Sequence, residues 1–325
     1  MASIKPVVEV YLTGDDLRAA LESDVRSGLT AVPKDIPPKW FYDERGSELF
    51  ERITRLPEYY PTRAERSILY ECRHGIPPLT GADTVIELGS GTSEKTRLLL
   101  DVFTDRRQLR RFIPFDVSEA ALRRAVAPLA EEYPKVEIHA IVGDFDHHLE
   151  AIPEGGRRVV AFLGGTIGNF PPHPRAQFLA TLSARMDVGD SLLLGTDLVK
   201  STARLVAAYD DAEGVTAEFN RNVLRVINRE LKANFVPERF GHVALFDEEE
   251  EWIEMRLRAD RDQSVYVRAL DLEATFADGE DVRTEISAKF RRQGVEDELA
   301  EAGLALARWW VDDNGDFALS LSFKE

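Results

Sequence analysis

The sequence predicts an α/β protein: a parallel sheet covered by helices on both faces, interrupted by a second α+β domain. Three observations carry this reading. Between Asp83 and Gly195, β-runs alternate with helical stretches, as a parallel sheet with crossover helices requires. After Lys200 a long helical stretch gives way to strands of period two, the pattern of a half-buried antiparallel sheet. The chain then closes with one helix, Val295–Ala302, and two strands, Ala307–Val311 and Phe317–Phe323. The turn Asp312-Asp313-Asn314-Gly315 joins those strands as a hairpin.

The elements follow in order. The region before Asp83 reads as helices and irregular loops. Asp15-Asp16 opens an amphipathic stretch through Val25, and Pro33, Pro37 and Pro38 then punctuate the chain. Lys39–Asp43 and Pro57–Pro61 are dense in aromatics, which suits packing against a neighbouring domain. Strands are expected at Thr84–Leu88, Phe112–Phe115, Val136–Val142, Arg158–Leu163 and Ser191–Gly195. Helices are expected over Glu94–Phe103, from the N-cap Ser118, and over Arg175–Met186. Ser201–Leu231 is largely helical. Strands follow at His242–Phe246, Trp252–Arg258, Ser264–Phe276 and Arg283–Phe290, with Glu248–Glu251 as a solvated turn. The expected division is 65–199 plus 290–325 for the sheet domain, and 1–64 plus 200–289 for a discontinuous second domain.

Composition narrows the function. The 325 residues are 44% apolar and 30% charged, ample for a core and unlike a disordered chain. A net charge of −17 repels phosphate backbones and anionic lipid, so neither nucleic acid nor membrane is an expected partner. No stretch approaches the ~18 apolar residues of a membrane span. Lys5, Pro6 and Glu9 break up any export-signal core, and Cys72 stands alone, so a reducing cytoplasm is expected. His147 and His148 are adjacent and cannot share one face, and the other histidines are scattered, so no metal is expected.

The strand-end loop Glu87-Leu88-Gly89-Ser90-Gly91-Thr92-Ser93 opens a helix. A dinucleotide fingerprint needs a third glycine where Glu94 stands. A phosphate loop needs its second glycine at the same place, and a carboxylate there repels a triphosphate. The E/D-x-G-x-G loop of S-adenosylmethionine (SAM) methyltransferases fits, because its ligand carries a sulfonium. Asp116 ends strand two, where a carboxylate can accept both ribose hydroxyls. Asp144-Phe145 follows strand three, where an acid can take the adenine amine and an aromatic can stack on the ring. Lys95 can reach the cofactor carboxylate, or can be a surface lysine. Ser93 departs from the third glycine found in many such enzymes.

Strand four ends in Gly164-Gly165-Thr166-Ile167-Gly168-Asn169, at the crevice end of such a sheet. The amide of Asn169 both donates and accepts, which suits the amine or carboxylate of an amino acid. In Arg283–Lys289, Glu285 and Ser287 lie two apart on one strand face. Carboxylate and hydroxyl together can hold a ring with two nitrogens; the competing reading is a solvent-facing stripe that includes Arg283 and Lys289. Tyr42, Tyr59 and Tyr209 can enclose a small polar ligand and steady a cationic amine, or simply pack.

On these residues the chain resembles the bacterial histidine-specific SAM-dependent methyltransferases of ergothioneine biosynthesis. The resemblance is carried by PPKWFYDERGSELFERITRLPEYYPTRAE, IELGSGTSEKTRLLL, RFIPFDVS, FLGGTIGNF, LLLGTDLVK and FNRNVLRVINREL. It implies a class I SAM-methyltransferase sheet of Rossmann-like form, with a discontinuous α+β substrate domain. It also implies trimethylation of the α-amino group of free L-histidine to hercynine, with S-adenosylhomocysteine as by-product. By resemblance, Gly89, Ser90, Gly91, Lys95, Asp116, Asp144 and Phe145 contact the cofactor. Tyr42, Gly164, Asn169 and Tyr209 hold the amino-acid end, and Tyr59, Met255, Glu285 and Ser287 surround the imidazole. Thr216 and Phe219 match further pocket positions. Tyr42 and Asn169 are the expected catalytic residues, with Tyr42 or a water relaying the amine proton. The enzyme is expected to act as a monomer on histidine and its mono- and dimethylated intermediates. The alternatives are methylation of another small amine, or a SAM-binding module without catalysis.

Overall fold

The computed structural model describes residues 4–91, 93, 95–145 and 147–325; Thr92 and Glu94 of the glycine loop lie outside the described residues. In chain order the first half contains β1 (Val7–Val10), α1 (Gly14–Thr30), β2 (Lys34–Asp35), α2 (Glu44–Ile53), α3 (Pro61–Cys72), α4 (Ile76–Thr80), β3 (Thr84–Leu88) and α5 (Arg97–Asp105). Next come β4 (Arg111–Asp116), α6 (Glu119–Glu132), β5 (Glu137–Val142), β6 (Arg158–Phe162), α7 (Pro172–Ala184), β7 (Ser191–Asp197), α8 (Thr202–Tyr209) and α9 (Val215–Leu231). The chain finishes with β8 (Phe240–Asp247), β9 (Trp252–Ala259), β10 (Gln263–Val267), β11 (Leu272–Phe276), β12 (Asp281–Ala288), α10 (Arg292–Glu301), β13 (Leu304–Val311) and β14 (Phe317–Lys324). These elements form two compact units.

The first unit comprises the chain up to Leu12, Pro61–Val199 and Phe290–Glu325. Its sheet runs β1-β5-β4-β3-β6-β7-β14-β13. All neighbours are parallel except β14, which is antiparallel to both β7 and β13. Every residue of β3, β6 and β7 is buried, which is why those strands read as unbroken runs rather than alternating ones. The order turns back at β3, between β4 and β6, so the crevice beyond the C-terminal ends of these strands is the natural ligand position. Ser118 caps α6 by accepting from the Ala121 N–H, as its sequence position suggested.

Three expectations need correction. Residues up to Leu12 belong to the sheet unit and not to the second domain, because β1 pairs in parallel with β5 from Val7↔His139 to Val10↔Val142. A four-residue edge strand in which no residue is fully buried carries too little pattern to be read from Val-Val-Glu-Val. Pro61–Ala64 also join the sheet unit, as the first turn of α3. The stretch 264–276 is two strands, not one. A 3-10 turn, Arg268–Leu270, and left-handed Asp271 (φ 47°) fold it into the β10–β11 hairpin.

The second unit comprises Thr13–Tyr60 and Lys200–Lys289. Its main sheet is β2-β12-β9-β8, with β10-β11 as a separate pair. The apolar faces of α1 and α9, the latter carrying Phe219, share a core with Phe41 and Phe240. Among the described residues, no helix is long and apolar enough to cross a membrane.

Candidate active site

In the sheet unit, the loop after β3 is built from left-handed backbone: Gly89 has φ 72° and Gly91 has φ 49°. A side chain at either position would be strained, so glycine keeps the loop open to a ligand. The N–H of Gly91 donates to Asp116 Oδ2 at 2.9 Å, and the N–H of Ser118 donates to Oδ1 at 2.8 Å. Burial nevertheless holds the Asp116 carboxyl above its ordinary range, against the pull of those N–H groups. Glu87, inside the same motif, is pushed by burial up to about 7, with the Thr96 hydroxyl opposing the shift. The Ser90 hydroxyl is buried with no hydrogen-bond partner among the described residues. An orphaned donor beside two open glycines fits a polar ligand lying on the loop.

Phe145 closes the other side of that loop. Its ring lies 5.5 Å from Phe115 and 5.8 Å from Phe162, and a Cβ on Gly89 would stand 3.6 Å from its edge. Asp144 precedes it, half-buried; its N–H donates to His148 Nδ1 at 3.1 Å, and its carbonyl accepts from the His147 and His148 N–H groups. Strand ends therefore bring Gly89, Ser90, Gly91, Asp116, Asp144 and Phe145 to one edge of the sheet, where acidic and aromatic groups suit a cationic nucleoside. Among the described residues, no group of His, Cys, Asp and Glu is arranged to hold a metal ion.

Glu65 is the residue that sequence reasoning missed here. It lies on α3, fully buried, with one carboxylate oxygen paired to the ammonium of Lys95. The other oxygen accepts from the Gly164 N–H at 2.6 Å. Gly195 on β7 makes the room: a Cβ there would sit 2.2 Å from that same oxygen. Lys95 is thus neither a plain surface lysine nor aimed by chance. One carboxylate ties it to the loop after β6. Only the quoted stretch ending in Glu65 hinted at this, and nothing in its pattern separated the residue from an ordinary helix-surface acid. Asn169 ends the 3-10 turn Thr166–Asn169, half-buried, and its amide makes no hydrogen bond among the described residues.

In the second unit, Tyr42, Phe50, Tyr59 and Tyr209 form a continuous aromatic series. Successive ring centroids are 5.7, 6.2 and 6.2 Å apart in edge-on contacts, with Phe219 5.6 Å from Tyr42. Thr216 is placed by Asp211, whose carboxylate accepts from the Val215 and Thr216 N–H groups at 2.9 and 2.7 Å. On β12, Glu285 stands opposite Met255 of β9. Glu285 is half-buried, has no hydrogen-bond partner among the described residues, and is pushed by burial up to about 7, with Lys289 pulling the other way. Ser287 is buried, and its hydroxyl meets the Tyr209 hydroxyl at 2.7 Å. The solvent-stripe reading of this segment fails for Ser287 and Lys289, which are 5% and 4% exposed. Arg283 alone keeps an outward character, 3.5 Å from Glu254.

Tyr209 is also held from behind. His242 Nε2 donates to the Tyr209 carbonyl at 2.8 Å, leaving Nδ1 to accept from the Asn220 amide at 2.9 Å. Asn220 Oδ1 in turn accepts from Thr284 at 2.7 Å. Burial keeps the His242 pKa below its ordinary value, so the ring is neutral, as this wiring requires.

Sheet order, glycine loop and strand-end acids together define a class I SAM-dependent methyltransferase. Residues 21–324 match the family of histidine-specific, SAM-dependent methyltransferases. The chain is 60% identical to the histidine N-alpha-methyltransferase of Mycolicibacterium smegmatis, over 97% of this chain and 98% of that protein. It is 59% identical to the protein of the same name from Mycobacterium tuberculosis, with the same coverage. It is also 32% identical to ergothioneine biosynthesis protein 1 of Schizosaccharomyces pombe, over 66% of this chain and 29% of that protein. The chain belongs to the histidine-specific SAM-dependent methyltransferases.

Proposed function

We propose that this enzyme methylates the α-amino nitrogen of free L-histidine three times with SAM, yielding hercynine, the first step of ergothioneine biosynthesis. The carrying observation is Glu285: a half-buried carboxylate with no protein partner, on the strand face that also holds Ser287. Such a group is costly unless a ligand donates to it, and an imidazole N–H is the donor this reading supplies. Ser287 serves the second ring nitrogen, Tyr59 and Met255 cover the faces of the ring, and Tyr209 stands with Tyr42 at the amino-acid end.

SAM supplies an electrophilic methyl group. The loop glycines with Ser90 and Lys95 bind its methionine end, Asp116 takes the ribose hydroxyls, and Asp144 with Phe145 takes adenine. Asn169 and the Gly164 backbone orient the amino-acid end of histidine, so the neutral amine can attack in line. The first two methylations each release a proton, for which Tyr42 is the proposed acceptor or relay. The third leaves a quaternary cation with no N–H, which tyrosine faces tolerate better than a fixed salt bridge would. The partially methylated intermediates are substrates of the same site. The enzyme is proposed to act as a monomer, in a reducing cytoplasm that suits its single buried thiol, Cys72.

Purified enzyme with SAM and a panel of free amino acids should yield mono-, di- and trimethylhistidine by mass spectrometry. Mass gain on another amine but none on histidine would refute the substrate assignment.

A further inference from the structure

β12 and β9 pair antiparallel from Asp281↔Arg258 to Ala288↔Trp252, but the register shifts by one residue between Arg283↔Arg256 and Glu285↔Met255. Thr284 is the extra residue, a β-bulge. The shift changes faces. Ahead of it Val282 stands opposite Leu257, and both belong to the apolar core. Past it Glu285 and Ser287 stand opposite Met255 and Ile253, which belong to the same core. An unbroken ladder would instead set Glu285 opposite Glu254, on the face that carries Arg256 and Arg283, and would turn Ile286 inward. Glu254 already pairs with both of those arginines, and a second carboxylate directly across from it is unfavourable. Glu285 reaches the inner face because one residue drops out of the alternation.

A bulge interrupts the ladder, so it persists where local contacts offset what the ladder loses. Those contacts are present. Thr284 is buried, and its hydroxyl lies 2.7 Å from Asn220 Oδ1 and 3.0 Å from the Met255 carbonyl. Asn220 is fully buried on α9, and its amide donates to the Arg256 carbonyl at 3.1 Å and to His242 Nδ1 at 2.9 Å. One side chain of α9 thus holds the extra residue of β12, a carbonyl of β9 beside the shift, and a ring on β8. We propose that Thr284 and Asn220 are positioning residues whose hydrogen bond locks the bulge and so turns Glu285 toward the substrate ring. The inference deepens the histidine reading above and rests on it. Neither residue is assigned a ligand contact; each acts through the face that Glu285 presents.

Thr284→Val keeps the side-chain shape and removes the hydroxyl. The KM for histidine should rise about tenfold, the worth of one buried hydrogen bond, with kcat and SAM Kd within about twofold of wild type. Thr284→Ser keeps the hydroxyl and should hold the histidine KM within about twofold of wild type. The loss in kcat/KM caused by Thr284→Val should vanish in a Glu285→Ala background, because the lock then has no carboxylate to place. Equal fractional losses in both backgrounds would mark Thr284 as merely structural and overturn the inference. So would an unchanged KM in Thr284→Val, or a KM that rises alike in Thr284→Val and Thr284→Ser. Where Thr284→Val does not fold, Thr284→Ala adds no atom against Asn220 and carries the same comparison with Thr284→Ser. Absence of any mass gain on histidine with the wild-type enzyme would instead sink the substrate reading, and this inference with it.

Discussion

Glu285 offers a titration that reports directly on the substrate reading. Burial raises its carboxyl from 4.5 to about 7, and a raised acid in the free enzyme is protonated on the acidic side of that value. The carboxylate accepts from an imidazole N–H far more strongly than the neutral acid does. From about pH 8 to about pH 6 the charged fraction falls from roughly nine-tenths to roughly one-tenth, so kcat/KM for histidine should lose about tenfold from this group. The histidine amine and imidazole also titrate, and their effects are shared by a Glu285→Gln variant. The ratio of wild-type to variant kcat/KM therefore isolates the carboxylate. That ratio should fall about tenfold between about pH 8 and about pH 6, read by initial rates at saturating SAM. A flat ratio, or a break near the ordinary carboxylate value, would refute the reasoning. The sign for stability is opposite. A raised folded pKa adds stability below the unfolded value and loses it as pH rises through about 7, so bound histidine should stabilise the enzyme most on the alkaline side.

Further outcomes follow from the same geometry. Glu65→Gln keeps an acceptor for the Gly164 N–H but leaves Lys95 without its counter-charge. SAM Kd by calorimetry should rise about tenfold, with a smaller change in the KM for histidine. Gly195→Ala drives a Cβ into the Glu65 carboxylate and against Phe317. It should cost about 1–3 kcal/mol of stability, visible as a drop of several degrees in Tm. Phe145→Ala removes the ring against Gly89 and should weaken SAM binding several-fold, with little effect on histidine affinity in a separate titration. His242 has a depressed pKa, so its contribution is complete above 6.5 and is lost as pH falls through the lower folded value. Tm should decline on that side in wild type, and the decline should flatten in His242→Gln.

The sheet was legible because its strands and loops announce themselves locally. A buried parallel strand is an apolar run, a ligand loop needs glycines, and strand-end acids sit at fixed offsets from both. Hence Gly89, Asp116, Asp144 and Phe145, the proposed cofactor contacts, could be placed at the strand ends from the chain alone. β1 was not legible, since four residues at an edge lack a period to detect. Glu65 and Lys289 were missed for a different reason. Their meaning lies in partners far away in sequence: Glu65 reaches Gly164, and Lys289 reaches Tyr209. A polar residue whose partner is distant looks identical, one-dimensionally, to one that faces water. Ser287 suffered the same ambiguity, and only its burial resolves it.

Those two missed residues reveal a common solution in units with separate cores. Each unit buries a charge and holds it with groups of fixed position: a backbone N–H and an ammonium around Glu65, two hydroxyls around Lys289. Fully satisfied buried networks rigidify what they touch. In the sheet unit the stiffened parts are the loop after β6 and Lys95, in the turn before α5; in the second unit they are Tyr209 and Ser287. Methyl transfer to an amine needs no covalent enzyme intermediate, so placement is where such an enzyme gains its rate. Conservative changes at Glu65 and Lys289 should therefore lower kcat/KM by misplacing ligands within a folded protein, a different signature from the lost contacts expected at Glu285 or Phe145.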